Sequence, residues 1–355
     1  MARQGKRGRL PGIVDVANRA KVSPATVSRY FNDPDIVRYR TRERIRHAVE
    51  ELGYVRNRAV RSMVGGATGS IGLVIPTIDN AIFSEMLQTF SSALATHGRT
   101  MLIAAHGYDL AREAVLVHSL SEQRVDALAL VGLEHRPETL VQIERQGIPA
   151  AMLWNYRPGG DWPCIGFDNE LAGRMAAEHL LALGHRDILF ATGEERSNDR
   201  AAGRRKGALE AARRAGLAVP DGRRIACPYD IRMSKETIAR NLEDGGRPTA
   251  VFAGNDVIAQ GAMFAAASLG VRVPDDLSII GIGDFRGSDA FEPGLTTVRI
   301  PARRIGQLAA DALVEMIDWP EADFHHEHCC PLELIVRGTC NAPGRLLRSA
   351  PGGNA

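Results

Sequence analysis

Residues 23–32, Ser-Pro-Ala-Thr-Val-Ser-Arg-Tyr-Phe-Asn, set small, polar and basic side chains close together. An arginine at Arg29 carries a fork of donors that can meet two acceptors on one base edge at once. The spacing predicts a helix that buries Val27 and Phe31 and turns Ala25, Thr26, Ser28 and Arg29 outward. Ser23 is suited to cap it, and Pro24 falls at the first helical position, where its missing N–H costs nothing. Just before it, Ile13, Val16, Ala17 and Ala20 form the apolar face of another short helix, broken at Lys21-Val22-Ser23. Two short helices joined by a tight turn make a helix-turn-helix, whose second member has the dimensions of a DNA major groove.

Other chemically suggestive stretches are weaker. His325-His326-Glu327-His328-Cys329-Cys330 is rich in metal-ligating groups. Neighbours along one strand point to opposite faces, however, and no second ligand cluster exists to complete a site, so a polar loop entering a strand at Leu332–Val336 is expected. Gly65-Gly66-Ala67-Thr68-Gly69-Ser70-Ile71-Gly72 precedes its strand and lacks a phosphate-loop lysine, which makes it a linker. Gly281-Ile282-Gly283-Asp284 ends a strand and reads as a cleft loop rather than a dinucleotide fingerprint. No nucleophile and base can be paired, so the reading is no enzyme, no cofactor and no metal.

Charge sharpens the division of the chain. Residues 1–64 hold 15 basic and 6 acidic side chains, whereas the remaining residues hold 29 and 36. A head of net charge +9 on a body of −7 is the footprint of a nucleic-acid reader with a separate second domain. Arg38, Arg40, Arg42, Arg44, Arg46, Arg56, Arg58 and Arg61 carry the excess well past any basic tail. With no run of 18 apolar residues, no apolar region behind the basic start and five scattered cysteines, a cytoplasmic protein without membrane contact is expected.

A third helix is predicted from Thr41 to Leu52, with Thr41 as its cap, Arg44 in the capping-box position and Gly53 as its stop. From Ser70 onward, apolar strands alternate with amphipathic helices. The strands are Ile71–Ile75, Thr100–Ala104, Ala127–Val131, Ala150–Leu153, Cys164–Phe167, Ile188–Ala191, Ala250–Ala253 and Ser278–Ile282. The helices fall at 82–97, 110–123, 136–146, 170–183, 201–215, 233–244, 256–269 and 302–318. Continuous apolar strands belong to parallel sheets covered by helices on both faces, with ligands beyond the carboxyl ends of the strands.

These pieces resemble the lactose/galactose-repressor (LacI/GalR) family over nearly the whole chain. The matching motifs include Val14-Asp15-Val16-Ala17, Thr26-Val27-Ser28-Arg29 with Asn32, Leu52-Gly53-Tyr54 with Asn57, and Ile71-Gly72-Leu73-Val74-Ile75-Pro76. Further on come Asp168-Asn169, Leu183-Gly184-His185, Arg204 with Gly207, Asn255-Asp256, and Leu295-Thr296-Thr297-Val298. The resemblance implies an all-α helix-turn-helix head and an α/β two-lobed core similar to periplasmic binding proteins. The head would span 10–56, a hinge helix or linker 57–65 and the core 66–341. Lobe one would take about 70–167 plus 299–329 and lobe two about 168–298 plus 330–341, with a disordered tail at 342–355.

The resemblance further implies a homodimer, possibly a tetramer, on a palindromic double-stranded DNA operator. It implies regulation, most simply repression, by a small sugar or sugar-acid effector held between the lobes. Pro24, Ala25 and Arg29 match positions that look into the groove, while Ser23, Thr26, Ser28, Asn32, Tyr54, Asn57 and Arg58 would hold phosphates. Met63 stands where the family has a minor-groove leucine wedge. The matching effector positions are Asn80, Phe83, Trp154, Asp168, Asn198, Arg200, Arg204, Asn255, Asp256 and Asp284, with Asp168 and Asp256 equally suited to cap helices. The family commonly reads Gly, an aromatic, Asp, Asp where this chain has Gly281, Ile282, Gly283 and Asp284. That missing acid, with Arg200 and Arg204 present and Asn198-Asp199-Arg200 similar to the gluconate-repressor branch, points to a sugar acid. A solute-binding receptor without a transcriptional role is the alternative.

Overall fold

The computed structural model describes residues 10–55, 67–244, 246–321 and 327–344. The chain divides after Thr68 into two units. In the first, α1 (Ile13–Ala20), α2 (Pro24–Asn32) and α3 (Tyr39–Leu52) enclose Val16, Ala17, Ala20, Val27, Ile45 and Ala48. Lys21 closes α1 in the left-handed conformation at φ 51°, so the turn is made without glycine. Phe31 is half-buried and packs on Tyr54 at 5.9 Å between ring centroids.

Helix α3 starts two residues before the expected Thr41, with Arg38 at its N-cap and no side-chain cap. Arg44 does not act in a capping box. Its guanidinium reaches back to the carbonyls of Ala20 and Lys21, the latter at 2.8 Å. The free carbonyls ending α1 attract a cation there more strongly than the N-terminus of α3 does.

The second unit holds two six-stranded sheets. In chain order the first contains β1 (Ser70–Ile75), β2 (Thr100–Ala105), β3 (Ala127–Val131), β4 (Ala150–Leu153), β5 (Cys164–Gly166) and β11 (His328–Cys329), arranged β11-β5-β4-β3-β1-β2. The second contains β6 (Ile188–Thr192), β7 (Arg224–Ala226), β8 (Ala250–Ala253), β9 (Ser278–Gly283), β10 (Thr296–Arg299) and β12 (Glu333–Ile335), arranged β12-β10-β9-β8-β6-β7. All paired strands run parallel except β12 against β10. Strands β3, β4, β6, β8 and β9 are buried throughout, as their uninterrupted apolar sequences require. The chain passes between the sheets three times, after β5, β10 and β11. The described residues continue past Ala342 to Gly344, where a disordered tail was expected; 345–355 lie outside them.

Eight further helices cover the sheets among the described residues: α4 (Ser84–Thr96), α5 (Leu110–Glu122), α6 (Pro137–Gln146), α7 (Asn169–Ala182), α8 (Asp199–Arg214), α9 (Ile231–Asp244), α10 (Asp256–Ser268) and α11 (Ala302–Asp318). Helices α7 and α8 meet backbone to backbone, because Gly173 lies against the main chain of Arg204 and Gly207 against that of Glu170. A side chain at either glycine would overlap those atoms. Helices α7, α8 and α10 each begin on an Asx cap, at Asp168, Asn198 and Asn255. Fully buried Trp154, Phe90, Phe167, Phe190 and Phe252 anchor the core, each stabilising it by roughly 1.5–3 kcal/mol.

Candidate functional site

On α2, Ser23 accepts the Thr26 N–H at 3.2 Å and also meets the Thr26 hydroxyl at 2.9 Å. Pro24, Ala25, Arg29 and Asn32 are exposed, and Thr26 and Ser28 half-exposed. Arg29 makes no ion pair among the described residues, so nothing there competes with an external partner. By contrast, three other surface cations of the head are engaged: Arg19 with Glu51, Arg42 with Asp35, and Arg46 with Glu43 and Glu50. Tyr54 is half-buried, its ring against Phe31. Asn57, Arg58, Met63 and the hinge at 57–65 lie outside the described residues, as do His325 and His326. Among the described residues no group of three His, Cys, Asp or Glu side chains is arranged to hold a metal.

Between the two sheets of the second unit, ten residues line a narrow cleft. Asn80, Phe83, Trp154, Asn198, Arg200, Arg204 and Asn255, all expected from the sequence, line it together with Ile82, Tyr108 and Tyr229. Phe83 and Trp154 meet edge to face at 5.0 Å, and Tyr108 and Tyr229 stand 6.1 Å apart. The aromatic walls suit the C–H faces of a small ligand, and the polar groups between them suit its hydroxyls. The two tyrosines sit in loops just past β2 and β7, at the carboxyl ends of strands, which was the signal that could have found them.

Arg204 is 3% exposed and its contacts are neutral: Nη1 donates to Asn169 Oδ1 at 3.0 Å and Nη2 to the Tyr229 hydroxyl at 3.3 Å. Its Nε has no partner among the described residues, and neither has Asn255 Nδ2. Asn255 spends its oxygen capping α10 through Ile258 N–H at 3.0 Å, which leaves the amide to the cleft. Tyr229 Oη also accepts from Asn198 Nδ2 at 3.2 Å, so its own proton is free to donate.

Arg200, the second cation expected at the cleft, is paired within the fold. Its Nη1 donates to Asp199 Oδ1 at 2.7 Å and to the Val131 carbonyl at 3.3 Å. Asp199 Oδ2 accepts from Leu133 N–H at 2.7 Å and from Asn155 Nδ2 at 2.8 Å, so an acid from the second sheet's side is held by donors from the first. Behind this pair lies a buried cluster. Glu113 meets His135 Nδ1 at 2.9 Å, His135 Nε2 faces the Gly132 carbonyl at 3.2 Å, and burial pushes the neighbouring His106 below its ordinary value.

Three expected effector residues do not line the cavity. Asp168 caps α7, accepting Leu171 N–H at 2.9 Å. Asp256 is fully buried beneath the cleft and accepts from Phe285 N–H, Ser288 Oγ and Thr297 Oγ1. Asp284 pairs with Arg299 and Arg337, each at 2.7 Å, on the other side of Ile82. In each case donors of the fold itself satisfy the carboxylate.

Comparison with known proteins matches the first unit and the later part of the second. Residues 12–57 match the sequence profile of bacterial regulatory proteins of the lacI family, and residues 177–340 that of a periplasmic binding protein-like domain. The chain is 32% identical to the HTH-type transcriptional repressor PurR of Pectobacterium atrosepticum, over 95% of this chain and 99% of that one. It is equally 32% identical to the HTH-type transcriptional regulator GntR of Escherichia coli K12, over 86% and 92% of the two chains. The lac repressor dimer bound to operator and an anti-inducer superposes with a TM-score of 0.80 at 27% identity, covering 94% of this chain and all of that one. Full-length likeness to repressors that carry the same head removes support for a receptor without a transcriptional role. The chain belongs to the lacI family of bacterial regulatory proteins: it is a DNA-binding transcriptional regulator of the repressor type, not an enzyme.

Proposed function

We propose that this regulator is a cytoplasmic homodimer that binds a palindromic operator through α2. A small hydroxylated carboxylate, of the sugar-acid class, would occupy the cleft and change operator affinity. The carrying observation is Arg204, a buried guanidinium with neutral contacts only, beside the unpartnered amide of Asn255. A buried cation without a counter-charge is costly, and a ligand carboxylate would relieve that cost with charge-assisted hydrogen bonds. Phe83, Trp154, Tyr108 and Tyr229 would hold the carbon chain, and Asn80, Asn198 and Asn255 its hydroxyls.

A thermal-shift screen of sugar acids against the matching neutral sugars tests this. A ligand at a hundred times its Kd stabilises the folded state by about 2.7 kcal/mol, enough to move the melting temperature by several degrees. The expected result is stabilisation by a sugar acid, its loss in Arg204→Ala, and a change in operator affinity with the same ligand. Equal stabilisation by the neutral sugar, or a shift that survives Arg204→Ala, would overturn the carboxylate reading.

A further inference from the structure

Resting on that reading of the cleft, we infer that Asp199 is a specificity-determining residue: by consuming the charge of Arg200 it limits the effector to a single negative charge. The cavity wall contains two guanidinium groups and no carboxylate. Two free cations would suit a dianion as well as a monoanion. Only one is free, because Asp199 and Arg200 form a pair whose side chains are 21% and 6% exposed. The Asp199 carboxylate accepts from Arg200, Leu133 N–H and Asn155, which hold it in place against the guanidinium. Gly132 makes this approach possible: at φ +108° it lies against Arg200 Nη1 and Asp199 Oδ1, where a Cβ would collide with the guanidinium.

Nearby titratable groups do not alter the count. Glu113 is paired with His135, and burial disfavours the charged form of His106. Tyr108, which also faces Arg200, is held in its neutral form by burial. The cleft therefore presents one uncompensated positive charge, at Arg204. A second ligand carboxylate or a phosphate would enter a low-dielectric space with no cation left to meet it.

Aldonates and aldarates provide the test, since gluconate and glucarate, or galactonate and galactarate, differ only in oxidation of the terminal carbon. Binding to the full-length protein is measured by calorimetry, with the ligand-free melting temperature of each variant as a folding check. The wild type should bind an aldonate and prefer it to its aldarate by about tenfold or more. Asp199→Asn, which keeps the shape and frees Arg200, should raise aldarate affinity about tenfold. The double variant Asp199→Asn with Arg200→Met should lose that gain, an outcome a merely structural role for Asp199 would not produce. The double variant also guards against misfolding of the single one, because it leaves no unpaired buried charge. Equal binding of aldonate and aldarate by the wild type overturns the inference. So does an Asp199→Asn protein that folds without gaining aldarate affinity, or a double variant that binds aldarate better than the wild type. If neutral sugars bind while neither acid does, the carboxylate reading itself fails, and this inference falls with it.

Discussion

The Thr297 hydroxyl donates to Asp256 Oδ1 at 2.6 Å, tying β10 to the start of α10 inside a fully buried layer. Asp256 Oδ2 meanwhile holds the loop after β9 through Phe285 N–H at 3.0 Å and Ser288 Oγ at 3.1 Å. Desolvation outweighs these three donors and raises the carboxyl from 3.8 to about 6. Between those values the folded state keeps a proton that the unfolded state has released. Stability contributed by this group is therefore complete below pH 4, falls as pH rises to about 6, and is level above that. Denaturant titrations across pH 4–7 should show that decline, up to about 3 kcal/mol, and Asp256→Asn should flatten it. An unchanged slope in the Asn variant would mean that another group titrates there. Asp256→Ala should destabilise by about 3 kcal/mol or more, because it strands buried donors.

Gly207 faces the Glu170 carbonyl with no space for a Cβ, and Gly173 stands likewise against the Arg204 main chain. The close helix contact sets the depth at which Arg204 enters the cleft. Gly207→Ala should force α7 and α8 apart, at a cost of about 1–3 kcal/mol in unfolding free energy. It should also weaken the sugar acid more than any loss at a remote core position of equal stability cost. Equal effects on ligand from both substitutions would assign the glycine to packing alone.

Arg29 is exposed on α2 and makes no ion pair among the described residues. If it reads a base, Arg29→Ala should lower affinity for the cognate operator roughly tenfold to a hundredfold and flatten preference at one base pair in each half-site. Scrambled DNA should be affected far less. Equal losses on both DNAs, measured by fluorescence anisotropy at fixed salt, would make Arg29 a phosphate contact.

The contrast between strands and carboxylates shows how far the sequence could be read. Strands β3, β4 and β8 end at the residues expected, because a run such as Ala127-Leu-Ala-Leu-Val131 can only be buried on both faces. Strands β7, β10 and β11 were not anticipated, being 3, 4 and 2 residues long with polar or mixed composition. Asp168, Asp199 and Asp256 all lie near the carboxyl ends of strands, where a helix cap, a counter-ion and a ligand contact need the same residue type. Only the donors around each decide: Leu171 N–H makes Asp168 a cap, whereas Arg200, Leu133 and Asn155 make Asp199 a counter-ion. Spacing cannot supply that information, since Leu133 lies 66 residues from Asp199.

Tyr229 joins more of the cleft than any residue read from the sequence. Its oxygen accepts from both Arg204 and Asn198, and its ring occupies the space that Gly193 leaves open. With both lone pairs used, the hydroxyl can only donate onward, toward a ligand oxygen in the cavity it lines. Tyr229→Phe removes that donor and strips Arg204 Nη2 of its contact while keeping the aromatic wall. Effector affinity should fall about tenfold, with a smaller effect on the ligand-free melting temperature, because the ring's burial is retained. Tyr229→Leu should lose further affinity by removing the stacking face as well. Calorimetry on the two variants separates these contributions: if Phe and Leu behave alike, the hydroxyl alone acts on the ligand, and if Phe matches the wild type, the cleft uses only the ring.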